Sequence, residues 1–478
     1  MDFPVPLASV ADAARILCPD NLCRALGDAL PGRSVVPFCA GPVVAADQLD
    51  AAVLHKPSMH RLDFGLMAEI VARFEPTYAD AVFVLYRRGG PAEPLPQEMA
   101  LHLDYVDHHL RSVPLPAPGG PRRRRALVVS AFGAGNIGDD AVSLAAAHMV
   151  RGVGFEEVEL SGPSWSQAQL DAADLVVLGG GGILYDIGHL GTPQVENVGN
   201  YTAPLLRARL LGKAAAGLGL GTQGIATPLG RSVFGHALGL CDPLTVRDEG
   251  DAAELRDRTG LPGARVTADL AFALNALEQP VAPPPPLLAD AAGRPLALLA
   301  PSVLNERDAS AVAGLAEHGA ALVRELGRTH EVVVAQHSTD DAGLCALLRE
   351  ATGAKVQPLD RIGVRATLAL YRAASLVVSA RYHGVVFAAL GGRSEVVALG
   401  GQGTKTGRLV HYDLPSLRSA LLHPSALRAM APADLLKHAA RPAAAEVRRL
   451  EARALENAAL LDSALRARAA GGAGPPGA

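Results

Sequence analysis

The run Ser379-Ala380-Arg381-Tyr382-His383-Gly384 sets a guanidinium and an imidazole two positions apart in one turn. The apolar stretch Ala374-Ser375-Leu376-Val377-Val378 before it reads as a buried strand, and the small-residue stretch after it as a helix. Arg381 and His383 therefore fall where a strand hands over to a helix N-terminus, whose free backbone N–H groups attract anions. Arginine, histidine and such a terminus together suit a phosphate or a carboxylate. Further on, Gly400-Gly401-Gln402-Gly403-Thr404-Lys405 reads as a flexible loop carrying one of only five lysines (Lys56, Lys213, Lys355, Lys405, Lys437). The constellation points to an anionic small molecule.

Other segments have weaker chemistry. Ser130 to Asp140 holds Gly133, Gly135 and Gly138 between a strand and a helix, with Asn136 and Asp139 at the helix start. It reads either as a loop facing a ligand or as a helix cap, since Asn and Asp are preferred caps. Its glycines are out of register for a dinucleotide fingerprint, and the ribose-binding acid is missing from the next strand. Gly179 to Gly182 reads either as a strand-end turn or as a place where a ligand approaches the main chain. Arg247 either pairs with Asp248 or Asp242 or points into a cleft. Asp269 fits a turn acid before a helix. His102, Asp104, Asp107, His108 and His109 match no metal-site spacing, and no metal is expected. A nucleophile elbow, a Walker A loop and an HExxH helix are all absent from the sequence.

These residues must be positioned by a chain of 478 residues, too long for one core. It is 49% hydrophobic and 19% charged with net charge −4, which argues against nucleic acid as partner. Five cysteines without zinc spacing suggest reduced thiols. The N-terminus does not read as a signal peptide, and no run is long enough to span a membrane, so a cytoplasmic location is expected. Pro-rich joints at 114–121 and 280–286 read as linkers. Between and after them, short apolar strands alternate with amphipathic helices. That rhythm means parallel, doubly wound sheets. Ligands in such folds sit at the carboxyl ends of the strands.

The expected fold is α/β, with two Rossmann-like doubly wound domains, a small N-terminal α/β extension and C-terminal helices. The expected bounds are 1–113 for the extension, 126–279 for the first Rossmann-like domain and 287–468 for the second with the C-terminal helices. Residues 469–478 read as a disordered tail.

In order along the chain, several pieces together resemble the polysaccharide pyruvyl transferase family. Gly135-Asn136-Ile137-Gly138-Asp139 resembles its GNxGD opening, and Leu178-Gly179-Gly180-Gly181-Gly182 its glycine-rich strand end. Thr245-Val246-Arg247-Asp248, Ala268-Asp269-Leu270-Ala271-Phe272 and Ser379-Ala380-Arg381-Tyr382-His383 with Phe387-Ala388 resemble three more of its elements. Tyr382 replaces the usual Leu, and Asp251 stands where a Ser is frequent. The resemblance implies a GT-B-like two-domain fold, phosphoenolpyruvate as co-substrate with no other cofactor, and a glycan acceptor that receives a pyruvate ketal. It implies donor binding by Arg247, Arg381, His383 and Lys405, and acceptor binding by Asn136, Asp139, Gly180 and Gly181. His383 is the expected acid and Asp139 the expected base. A glycosyltransferase using a nucleotide-sugar is the first alternative, with Glu395 as the candidate ribose ligand. A non-catalytic binding protein of the same fold is the second, and homo-oligomerisation is left open.

Overall fold

The structure is a computed structural model that describes residues 6–38, 44–55, 62, 64–80, 82–89, 96, 99, 124–188, 192–277, 293–303 and 309–470. The linker, histidine-cluster and tail readings at 100–123, 278–292 and 471–478 lie outside the described residues.

The N-terminal part carries a five-stranded sheet. Its strands are β1 (Arg15–Cys18), β2 (Ser34–Pro37), β3 (Ala51–His55), β4 (Glu75–Ala79) and β5 (Phe83–Arg87), in the order β2-β1-β3-β5-β4. The first three are parallel and the last two antiparallel. The helices Cys23–Ala29 and Phe64–Arg73 accompany them.

The next sheet comprises β6 (Arg125–Val129), β7 (Glu157–Ser161), β8 (Leu175–Leu184), β9 (Ala214–Thr222), β10 (Leu244–Val246) and β11 (Arg265–Val266). All six are parallel, in the order β11-β10-β9-β8-β6-β7. The third sheet comprises β12 (Leu296–Ala300), β13 (Glu331–Gln336), β14 (Lys355–Pro358), β15 (Ala374–Ser379), β16 (Glu395–Leu399) and β17 (Leu421–Leu422). It is also fully parallel, in the order β14-β13-β12-β15-β16-β17. Strands such as β12, whose five residues are all buried, are apolar throughout because helices cover both faces.

Both parallel sheets are doubly wound. Each has a point where the strand order reverses, between β6 and β8 in one and between β12 and β15 in the other, and ligands of such sheets bind outside these points. The candidate residues follow β6, β10, β15 and β16, with Gly180 and Gly181 inside β8.

Two sequence expectations change. Strand β8 does not stop at Leu178; it runs through all four glycines to Leu184 and stays paired with β9 as far as Leu184 opposite Thr222. Gly180 and Gly181 take φ of +76° and +82° within it, which glycine alone adopts without strain, so the run is an irregular strand segment and not a turn. The last helix, Ala444–Ala470, was grouped with the second Rossmann-like half. It instead crosses back to the first: Asn457 hydrogen-bonds with Thr245 and Thr267, Glu456 pairs with Arg265 at 3.5 Å, and Arg468 donates to the Gly212 carbonyl. Apolar residues of both halves, from Val128 to Val377 and Leu461, share one core.

Candidate active site

The loop after β6 starts a helix, Ile137–Gly152, with Asn136 as its cap: the Asn136 side chain accepts from the Gly138 N–H at 3.1 Å. The same loop is tied to the other half. Ile137 N–H donates to the His337 carbonyl at 3.0 Å and Thr339 N–H to the Gly135 carbonyl at 2.9 Å, so a two-stranded bridge joins the halves at Asn136 and Ser338. Asn136 is thus both a cap and part of the joint, and it also reaches the cavity wall.

Beyond β15, Arg381 caps the helix Tyr382–Gly391, and His383 sits in its first turn. The His383 ring packs directly on Gly138, where a Cβ would lie 2.0 Å from Nδ1. Any side chain at 138 would displace the imidazole. At its other end His383 Nε2 lies 3.5 Å from Asp269 Oδ2, and neither buried atom has a hydrogen-bond partner. Asp269 is anchored by the Ala271 N–H at 3.0 Å. Burial opposes its charge, but His383 and Arg247 outweigh that and hold its carboxyl below the usual range.

A cavity of about 460 Å³ opens beside these groups. Arg381, His383, Lys405, His337 and His423 line it, and among the described residues no carboxylate does. Arg381 is held by two bonds to Asp341, from Nε at 2.8 Å and from Nη2 at 2.5 Å. Lys405 makes no ion pair among the described residues and lies 5.9 Å from the centre of the Tyr382 ring. Burial and the nearby Arg247 lower its pKa to about 8, with Asp139 pulling the other way.

The sequence-predicted residues divide into three groups. Arg381, His383 and Lys405 come together on the cavity wall. Asp139 stands just outside it, within electrostatic reach of His383 and Lys405, with Oδ1 turned toward Gly181. Burial pushes its carboxyl up, against the pull of His383 and Lys405.

Arg247 and Gly180 are placed elsewhere. Arg247 is buried behind Tyr382, its Nε 2.8 Å from Asp251 Oδ2 and its guanidinium pressed on Gly221. It lies 5.3 Å from the Tyr382 ring centre, is not among the described residues that line the cavity, and keeps its buried Nη2 without a hydrogen-bond partner. The sequence reading named Asp248 and Asp242 as partners, whereas the bonded one is Asp251. Arg408, from the other half, completes the network at 3.2 Å from Asp248 and 3.1 Å from Asp251. A Cβ at Gly180 would lie 2.9 Å from the Leu270 side chain, so the core requires glycine there.

Asp341, His337 and Tyr382 are site residues that sequence reasoning missed, and Asp269 was read only as a turn acid. Glu395, the candidate ribose ligand, is exposed at the first position of β16, opposite the carboxyl ends where the cavity lies. Among the described residues no group of three or more His, Cys, Asp or Glu could hold a metal.

A model of the polysaccharide pyruvyl transferase family matches residues 136–394, more than half of the chain. No curated protein matches. Similar solved structures include a putative UDP-N-acetylglucosamine 2-epimerase from Listeria monocytogenes, at 13% identity and TM-score 0.44 over 70% of this chain and 96% of that one. Another is the E. coli ADP-heptose lps heptosyltransferase II, at 14% and 0.36 over 70% and 99%. A third is the UDP-GlcNAc 2-epimerase of Neisseria meningitidis, at 9% and 0.41 over 73% and 100%.

Proposed function

The chain belongs to the polysaccharide pyruvyl transferase family, and on that premise we propose that phosphoenolpyruvate is its donor and that the cavity beside Arg381, His383 and Lys405 receives it. The observation that carries this reading is the charge of the cavity wall: an arginine, a lysine and a histidine, with no carboxylate among the described lining residues. Phosphoenolpyruvate carries a phosphate and a carboxylate, and charge-assisted bonds to both are the strong kind.

The reaction needs a proton on the methylene carbon C3, attack of a glycan hydroxyl on C2, and attack of a second hydroxyl as the C2–O bond to phosphate breaks. Two hydroxyl protons balance it: one ends on the new methyl group, the other leaves with phosphate. His383 delivers the first to C3, with the Asp269 carboxylate orienting its ring. Asp139 takes a proton from the acceptor; a carboxyl pushed up by burial is a better base near neutrality than an ordinary one. The acceptor enters from the Asp139 and Gly181 side. No further cofactor takes part.

Lys405 makes the donor reading testable by pH. The anion requires the protonated amine, and that amine titrates near 8 before donor binds. The donor phosphate, with a second pKa near 6, is fully charged in this range. Affinity for phosphoenolpyruvate, measured calorimetrically, is therefore greatest around pH 7, where the amine is protonated and the phosphate is charged. It falls by up to about tenfold per unit above pH 8, as each binding event must take up a proton. In Lys405→Met this slope disappears. A wild-type affinity flat from pH 7 to pH 9 would remove Lys405 from the donor site.

A further inference from the structure

His337 follows β13 and belongs to no element that the proposed reaction uses, yet its imidazole is on the wall of the donor cavity. It is almost wholly enclosed, at 1% exposure. The ring is stacked against Phe387 with centroids 5.9 Å apart. Its Nε2 lies 2.6 Å from the Tyr371 hydroxyl, and its Nδ1 is buried without a hydrogen-bond partner.

The Tyr371 hydroxyl decides which nitrogen holds the proton. Tyr371 is fully buried, and among the described residues its hydroxyl bonds only to His337 Nε2. A buried hydroxyl must donate, because an orphaned O–H forfeits its hydration for nothing. The only acceptor in reach is Nε2, which therefore carries a lone pair. Burial, reinforced by Arg381 and His383, holds the ring neutral by pushing its pKa well below the ordinary value. A neutral ring with a bare Nε2 has its proton on Nδ1. His337, one of the residues that line the cavity, thus carries a buried N–H donor that no described protein group accepts.

We propose that His337 is a further ligand of the anionic donor, giving its Nδ1–H to a carboxylate or phosphate oxygen, and that Tyr371 is the positioning residue that fixes this tautomer. The proposal rests on the donor cavity described above. It adds a neutral, directional contact beside the charged Arg381 and Lys405, and such a contact can tell how an anion is turned.

Two substitutions separate the ring's two ends. The amide nitrogen of Asn reproduces a donor at the Nδ1 position, whereas that of Gln lies near Nε2. His337→Asn is expected to hold phosphoenolpyruvate within about threefold of wild type, and His337→Gln to weaken it by about tenfold or more. Both lose the stacking on Phe387 alike, so their difference does not report folding. Nitrogen-15 NMR of histidine-labelled protein, with His337→Asn to assign the signal, should show an Nδ1–H tautomer that becomes mixed in Tyr371→Phe. An Nε2–H tautomer in wild type, or equal affinities in the two variants, overturns the proposal. Titration of the wild type with phosphoenolpyruvate and with inorganic phosphate separates this from the donor reading. Phosphate binding without phosphoenolpyruvate binding overturns the donor alone, with the variants then compared on phosphate; binding of neither overturns both.

Discussion

His383→Ala lowers the turnover of pyruvyl transfer from phosphoenolpyruvate by about two to four orders of magnitude, the range that a positioned general acid supplies. The fold should survive, because the ring packs only on Gly138, Tyr382 and Phe387 among the described residues and its Nε2 makes no hydrogen bond. The informative comparison is Asp269→Asn. That change keeps the shape next to Nε2 and removes the carboxylate, so turnover falls less and its pH profile moves while donor affinity stays near wild type. Turnover by phosphate release and affinity by calorimetry separate the two effects. A His383→Ala protein that turns over normally would take the proton transfer away from this residue, and with it the reason for the Gly138 contact.

The second large effect is on stability. Asp251 is buried between two arginines and accepts four hydrogen bonds: from Arg247 Nε at 2.8 Å, Arg408 Nη2 at 3.1 Å, Thr222 N–H at 3.0 Å and the Thr222 hydroxyl at 2.9 Å. Asp251→Ala strands the fully buried Arg247 guanidinium with only Asp248, 4.0 Å away. Removing one partner of a buried pair costs about 3–5 kcal/mol, because the remaining charge has lost its water and gained nothing. Denaturant unfolding should therefore show a marked loss of stability, and Arg408, which reaches across from the other half, should lose much of its hold too. Should the variant unfold at the wild-type midpoint, Arg247 is not a fixture of the wall but free to turn toward the donor. Tyr382 and Asp251, two of the positions where the chain departs from the pattern it resembles, both meet at this arginine.

The strand-to-helix turn with Arg381 and His383 was legible because its signals are local: an apolar run, then small residues, with charged groups between. The same holds for β12, β13 and β16, whose bounds coincide with their apolar runs. The glycines of β8 misled for a physical reason. Glycine is a poor strand former, and only pairing with β9 holds Gly180 and Gly181 in the ladder at positive φ. Most partners of the charged groups were not legible. Asp341 under Arg381 and Asp269 against His383 are set by how separate parts of the chain come together, and no spacing in the sequence records it; Asp251, four residues beyond Arg247, is a local partner that was passed over for Asp248 and Asp242. The last helix gave its periodicity but not its address, since an amphipathic face does not say which sheet it covers.

The central claim is that the cationic cavity holds phosphoenolpyruvate, and thermal unfolding of the purified protein with and without it is the most direct test. A ligand that binds only the folded state raises the midpoint. The expected result is a concentration-dependent rise in wild type that is lost in Arg381→Ala, which removes the Asp341-fixed guanidinium from the cavity wall. A rise with a nucleotide-sugar and none with phosphoenolpyruvate would contradict the account.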